Sequence, residues 1–177
     1  MKRNSVYRMT VAAVSLALAF VLPFFTGQIP EIGAMLCPMH IPVLVCGYLA
    51  GWQWGLAVGF TAPLLRSLTL GMPPLFPVAV AMAVELAVYG LAAGLLRKLL
   101  PRGGAYLYLS LVLSMILGRL VWGGAMFLLL FASGGAFTFT AFVAGAVTGA
   151  LPGIVIQLVL IPPLVVILER NVSKRYV

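Results

Sequence analysis

The stretch Ala105–Ala132, AYLYLSLVLSMILGRLVWGGAMFLLLFA, carries a single charged residue, Arg119. A helix crosses the hydrocarbon core of a bilayer with about 20 predominantly apolar residues, so this run is long enough to span it. It lacks the apolar and polar alternation of a barrel strand, and a helix satisfies its backbone N–H and C=O groups within the segment. Further runs of the same kind extend over Met9 to Thr26, Ala34 to Ala50, Trp52 to Leu70, Leu75 to Leu96 and Ala141 to Leu168. The expected fold class is all-α: one integral membrane domain over residues 1–177, a bundle of six transmembrane helices.

Composition agrees. The chain is 63% hydrophobic and 8% charged, with a mean hydropathy of +1.17, whereas soluble domains are about 25% charged. Its acidic residues are Glu31, Glu85 and Glu169, and there is no Asp, which excludes chemistry that needs paired aspartates. The net charge of +8 would suggest nucleic acid in a soluble chain. Here the cations flank apolar runs and act as topology determinants, so no nucleic-acid partner is expected. Lys2, Arg3 and Arg8 precede the first span; Arg97, Lys98 and Arg102 follow the fourth; Arg170, Lys174 and Arg175 follow the sixth. With six spans these positions share one face, which predicts that both termini are cytoplasmic. A multi-pass protein of the plasma membrane is expected. No small-residue cleavage site followed by a soluble domain appears after the first run, so a cleaved signal peptide is not expected.

Prolines mark where the spans depart from regularity. Pro23, Pro63, Pro152, Pro162 and Pro163 lie within the runs and should kink or open them. Pro38 and Pro42 interrupt the second span, so a short or broken helix is expected there. Such a segment either lines a binding site or forms a tilted, shallow helix.

The absent motifs restrict function further. Without G-x-x-x-x-G-K-[ST], any ATP drive must come from a partner. H-E-x-x-H and G-x-S-x-G are also absent, and His40 is the only histidine, so neither an enzyme nor a resident cofactor is expected. Cys37 and Cys46 on one helix would stand roughly 13 Å apart, beyond disulfide reach, and with one histidine they make a zinc site improbable.

What remains is a small intramembrane polar set: His40, Arg66, Glu85, Arg119 and Gln157. Charges at such depth cost roughly 2.5–3.5 kcal/mol each on insertion scales, so they face a cavity, a partner or one another. Glu85 and Arg119 fall at similar depths on consecutive spans, which predicts a pair. Arg66 lies nearer the outer end of its span and would then be the uncompensated cation available to an anionic ligand; snorkelling or structural pairing is its alternative role. Trp122 occupies the face of Arg119 one turn farther on, where it either walls a pocket or packs. Trp52 and Trp54 are read as interface anchors. In the first span, Ala13-x-x-x-Ala17 and Ser15-x-x-x-Ala19 let a helix approach closely, whether inside the bundle or from a partner.

Taken together, Gly27-Gln-Ile-Pro-Glu-Ile-Gly33, Pro38-Met-His-Ile-Pro-Val-Leu44, Pro63-Leu-Leu-Arg-Ser67, Gly71-Met-Pro-Pro-Leu-Phe-Pro77 and Gly118-Arg-Leu-Val-Trp122 resemble stretches of the substrate-binding S-components of energy-coupling factor vitamin transporters. The likeness covers nearly the whole chain. It implies a bundle that captures a water-soluble vitamin or precursor near its outer face, then joins a T-component membrane subunit and two ATPases. It further implies a docking surface at Ala13 and Ala17, and substrate contacts around Glu31, His40, Arg66, Met72, Phe76, Glu85, Arg119 and Trp122. The pocket residues of biotin, riboflavin and thiamine members are not recognised here. Pantothenate is the first candidate, because two arginines against one glutamate would suit a carboxylate. A pyridine or benzimidazole precursor is the rival, and a non-transport structural or assembly protein is the alternative from another class.

Overall fold

The computed structural model describes residues 2–26 and 35–174 of the chain. Helix α1 (Lys2–Val21) ends in a 3-10 turn, Leu22–Thr26, that contains Pro23. Then follow α2 (His40–Ala50), α3 (Trp52–Leu70), α4 (Val80–Leu99), α5 (Gly104–Ala132), a one-turn lead-in α6 (Phe139–Val143) and α7 (Leu151–Lys174). A π-helical turn precedes α4 at Leu75–Ala79, and another joins α6 to α7 at Ala144–Thr148. Among the described residues there is no strand.

The order of helices is the expected one, with differences that have physical causes. Segments Ser5–Phe25, Leu75–Leu99, Gly104–Ala132 and Phe139–Arg170 are each long and apolar enough to cross a membrane. The α2 helix is much shorter, and it starts only at His40 because Pro38 cannot sit in a regular helix interior. It is no shallow surface helix: nine of its residues, His40 and Pro42 to Tyr48 among them, are buried. The last span opens near Gly149 into two pieces, so the uninterrupted run over 141–168 is broken at its start. Pro152 sits in the first turn of α7, where its missing N–H costs nothing. Pro63, Pro162 and Pro163 lie within continuous helices.

Since helices in lipid gain little from burying apolar surface against each other, their contacts depend on close backbone approach. The α2–α3–α4 packing shows how this is achieved. Gly51, at φ +98°, makes the one-residue turn between α2 and α3. Gly55 then lies against Gly90 so closely that a Cβ on Gly55 would stand 2.6 Å from the Gly90 carbonyl oxygen. The α2 helix occupies the centre, touching α1, α3, α4 and α7, while α5 packs on α4. Tyr48 links α2 to α5 through a 3.1 Å hydroxyl pair with Ser110. Helices α2, α4 and α7 run in one direction and α1, α3 and α5 in the other. Arg97 at the end of α4 pairs with Glu169 near the end of α7 through Nε at 3.0 Å and Nη2 at 2.5 Å.

The two small-residue stripes of α1 separate by face. Ala12, Ser15 and Ala19 are buried, with Ala19 fully so. Ala13 and Ala17 are exposed beside Val14 and Leu18.

Candidate functional site

The polar centre of the bundle forms where the start of α2 meets α4 and α5. Glu85 is about one and a half turns into the regular part of α4, on the face turned to α2 and α5, and its side chain is 1% exposed. Arg119 approaches from α5 and places Nη1 3.0 Å from Glu85 Oε1, the pair expected from their depths. His40, at the first position of α2, brings Nε2 to 3.4 Å from the same oxygen. Cys37 has a left-handed backbone, φ +48°, rare for a non-glycine residue, and its thiol sulfur receives Nη2 of Arg119 at 3.2 Å. A carboxylate so deeply buried is tolerable only when charge and hydrogen bonds compensate it.

Aromatic rings frame this centre. Tyr89, one turn from Glu85 on α4, is 1% exposed and meets the His40 ring edge-on at 5.0 Å. Gly118 leaves the space its ring needs: a Cβ there would overlap Tyr89. One turn beyond Arg119, Trp122 stacks on Phe142 at 6.4 Å and meets Phe137 edge-on at 5.9 Å, tying α5 to α6.

Several polar atoms in this region have no hydrogen-bond partner although they are buried: His40 Nδ1, Arg119 Nε and Gln157 Oε1. Gln157 is on α7, 1% exposed. One turn before it, Gly153 rests on the start of α2, so that a Cβ would come within 2.7 Å of the Met35 carbonyl oxygen and 2.8 Å of that of Leu36. With α2 and α7 running the same way, Gln157 stands at about the level of His40.

Arg66 belongs to a different contact. Its guanidinium donates to the Phe20 carbonyl at 2.7 Å and lies 5.0 Å from the Phe24 ring centre and 5.9 Å from that of Phe20. At 3% exposure it ties α3 to the C-terminal end of α1, where a cation also meets the negative end of the helix dipole. Met72 is half-buried and Phe76 is 53% exposed, both ahead of regular α4. Glu31 lies outside the described residues. Of the residues singled out in the sequence, the structure places His40, Glu85 and Arg119 together, and Trp122 one turn from Arg119. Gln157 stood in the polar set read from the sequence, but Cys37 and Tyr89 were not singled out as members; the signals were Tyr89 four residues after Glu85 and Gly118 beside Arg119. Among the described residues no group of His, Cys, Asp and Glu has an arrangement suited to a metal ion.

Comparison with known proteins adds the family. Searches of curated proteins and of solved structures give no match. The family model described as ECF transporter, substrate-specific component, matches residues 7–165, which include every helix but the ends of α1 and α7. The chain thus belongs to the substrate-specific components of energy-coupling factor transporters, the substrate-binding subunits of membrane transporters.

Proposed function

We propose that the chain captures a water-soluble vitamin or vitamin precursor at the end of the bundle where α2 and α4 begin, and delivers it with a T-component and two ATPases that hydrolyse the ATP. The observation that carries this reading is the buried Glu85–Arg119 pair with His40 and Cys37 upon it. A buried pair of this kind adds little stability over apolar packing, so its presence inside a membrane bundle argues for use. His40, Glu85, Arg119 and Trp122 are assigned to the substrate, with Glu31, Met72 and Phe76 at the entrance, while Arg66 holds the end of α1 beside it. The exposed Ala13–Ala17 stripe is the T-component docking face. Both termini lie in the cytoplasm of a plasma-membrane protein; labelling of single cysteines in the 133–140 loop from outside the cell tests this.

Pantothenate is the first substrate to test. A pyridine- or benzimidazole-type precursor is the second reading, and a specific observation favours it: Glu85 neutralises Arg119, and Arg66 is engaged with α1, so neither arginine stands free for a carboxylate. Thermal unfolding of the purified chain against a vitamin panel tests both. A ligand at 100 times its dissociation constant adds about 2.7 kcal/mol, or roughly 5–11 °C for a chain of this size. An assembly protein whose polar residues serve only helix association shows no shift with any compound.

A further inference from the structure

We infer that the end of the bundle where α1 begins and α4 and α7 end binds the headgroup phosphates of anionic phospholipids, through Lys98, Arg102 and Arg170 with Arg8 at the same end. Nine of the eleven cations belong to the segments that meet here, Lys2 to Arg8, Arg97 to Arg102 and Arg170 to Arg175, and Glu169 is the one carboxylate beside them in sequence. Arg97 takes that carboxylate, Nε donating to Oε1 at 3.0 Å, and Glu85 is held by Arg119 in the polar centre. Arg8, Lys98, Arg102 and Arg170 are exposed, and among the described residues none of them has a carboxylate partner. Uncompensated cations gathered at one end make a field that attracts anions.

The Arg97–Glu169 pair fastens the end of α4 to the end of α7, so Lys98 and Arg170, the next residue on each helix, flank the fastened contact, and Arg102 follows in the turn to α5. Aromatic side chains set the depth. Trp52 opens α3, and Tyr106 and Tyr108 lie in the first two turns of α5, all at this end and 37%, 44% and 47% exposed. Exposed Trp and Tyr at the ends of spans settle among the headgroups, and the long stems of Lys and Arg let their charges reach the phosphates there. The loops of the opposite end, 71–74 and 133–140, carry no charge. A cluster of cations beside membrane spans is matched by the anionic lipid surface at the same depth.

The test is tryptophan quenching by phospholipids brominated near the headgroup, with the purified full-length chain in phosphatidylcholine vesicles. Trp122→Phe leaves Trp52 and Trp54, both at the basic end, as reporters, and brominated lipid in both leaflets makes the reading independent of orientation. Brominated phosphatidylglycerol is expected to be preferred over brominated phosphatidylcholine by about fivefold or more, the contribution of a single cation near a membrane surface. The preference should shrink as salt rises to about 1 M, where the screening length is about 3 Å. It should fall to within about twofold when Lys98→Gln, Arg102→Gln and Arg170→Gln are combined; the three positions are exposed, and thermal unfolding checks that the chain still folds. Equal quenching by the two lipids overturns the inference, as does a preference that the folded triple variant keeps. Loss of the preference on adding inorganic phosphate equimolar with the anionic lipid also overturns it, because the cations then take any free anion. Equal quenching together with lost co-purification of the ATPases by the triple variant assigns this end to an acidic protein surface instead.

Discussion

Replacing Glu85 by Ala should destabilise the protein more than any other single removal of a polar side chain. Glu85 is 1% exposed and Arg119 14%, with their charged atoms 3.0 Å apart, so deleting the carboxylate leaves a cation held by backbone geometry in a place water scarcely reaches. It also removes the group facing His40 Nε2. Stranding one member of such a pair costs about 3–5 kcal/mol, a large share of the roughly 5–15 kcal/mol that stabilises a typical fold. For a chain of 177 residues this corresponds to a fall in Tm of roughly 6–20 °C. Thermal unfolding in detergent of wild type, Glu85→Ala, Arg119→Ala and the double variant closes the cycle. The double variant removes both charges and should be clearly more stable than the sum of the single losses predicts, regaining about 1–3 kcal/mol. Strict additivity would refute the reasoning, because two groups that do not interact lose stability independently.

Other expectations concern the rest of the bundle. Arg66→Met should lower stability by about 2–3 kcal/mol through the lost charged hydrogen bond to Phe20 and the lost ring contacts, with ligand affinity unaltered; weakened binding in a folded variant would return Arg66 to the substrate. Glu169→Gln, in a pair whose side chains are 15% and 34% exposed, should cost only about 0–1 kcal/mol, and the loss should shrink as salt is raised during the melt. Ala13→Leu and Ala17→Leu should leave unfolding of the isolated chain unchanged but reduce co-purification with the T-component, whereas Ala19→Leu, at a fully buried position, should destabilise the chain by about 1–3 kcal/mol.

The parts of this architecture that depend on depth could be read from the chain itself. Span lengths follow from bilayer thickness, and counting residues inwards from two helix ends was enough to pair Glu85 with Arg119. Rotation about the helix axis could not be read in that way. In water an apolar stripe marks the buried face, but from Val11 to Val21 α1 has only Ser15 among apolar residues, so its hydrophobic pattern does not separate the buried Ser15–Ala19 stripe from the exposed Ala13–Ala17 stripe. Arg66 illustrates a second limit. Its partner is the backbone carbonyl of Phe20, and a carbonyl has no residue-type signature. The entry of His40 into the Glu85 site depended on α2 being both short and central, and proline spacing revealed only the first of these. Cys37 reaches Arg119 by a left-handed backbone conformation seldom adopted by cysteine, which no local pattern announces.

Equilibrium dialysis of radiolabelled vitamins against the purified chain alone, without T-component or ATPases, tests the central claim most directly. The account predicts saturable binding of one vitamin or precursor, one molecule per chain, that is lost in the folded Glu85→Ala, Arg119→Ala double variant. Binding that survives unchanged in that variant would contradict the assignment of this polar centre to the substrate, and no saturable binding by any vitamin to folded wild-type chain would contradict capture itself.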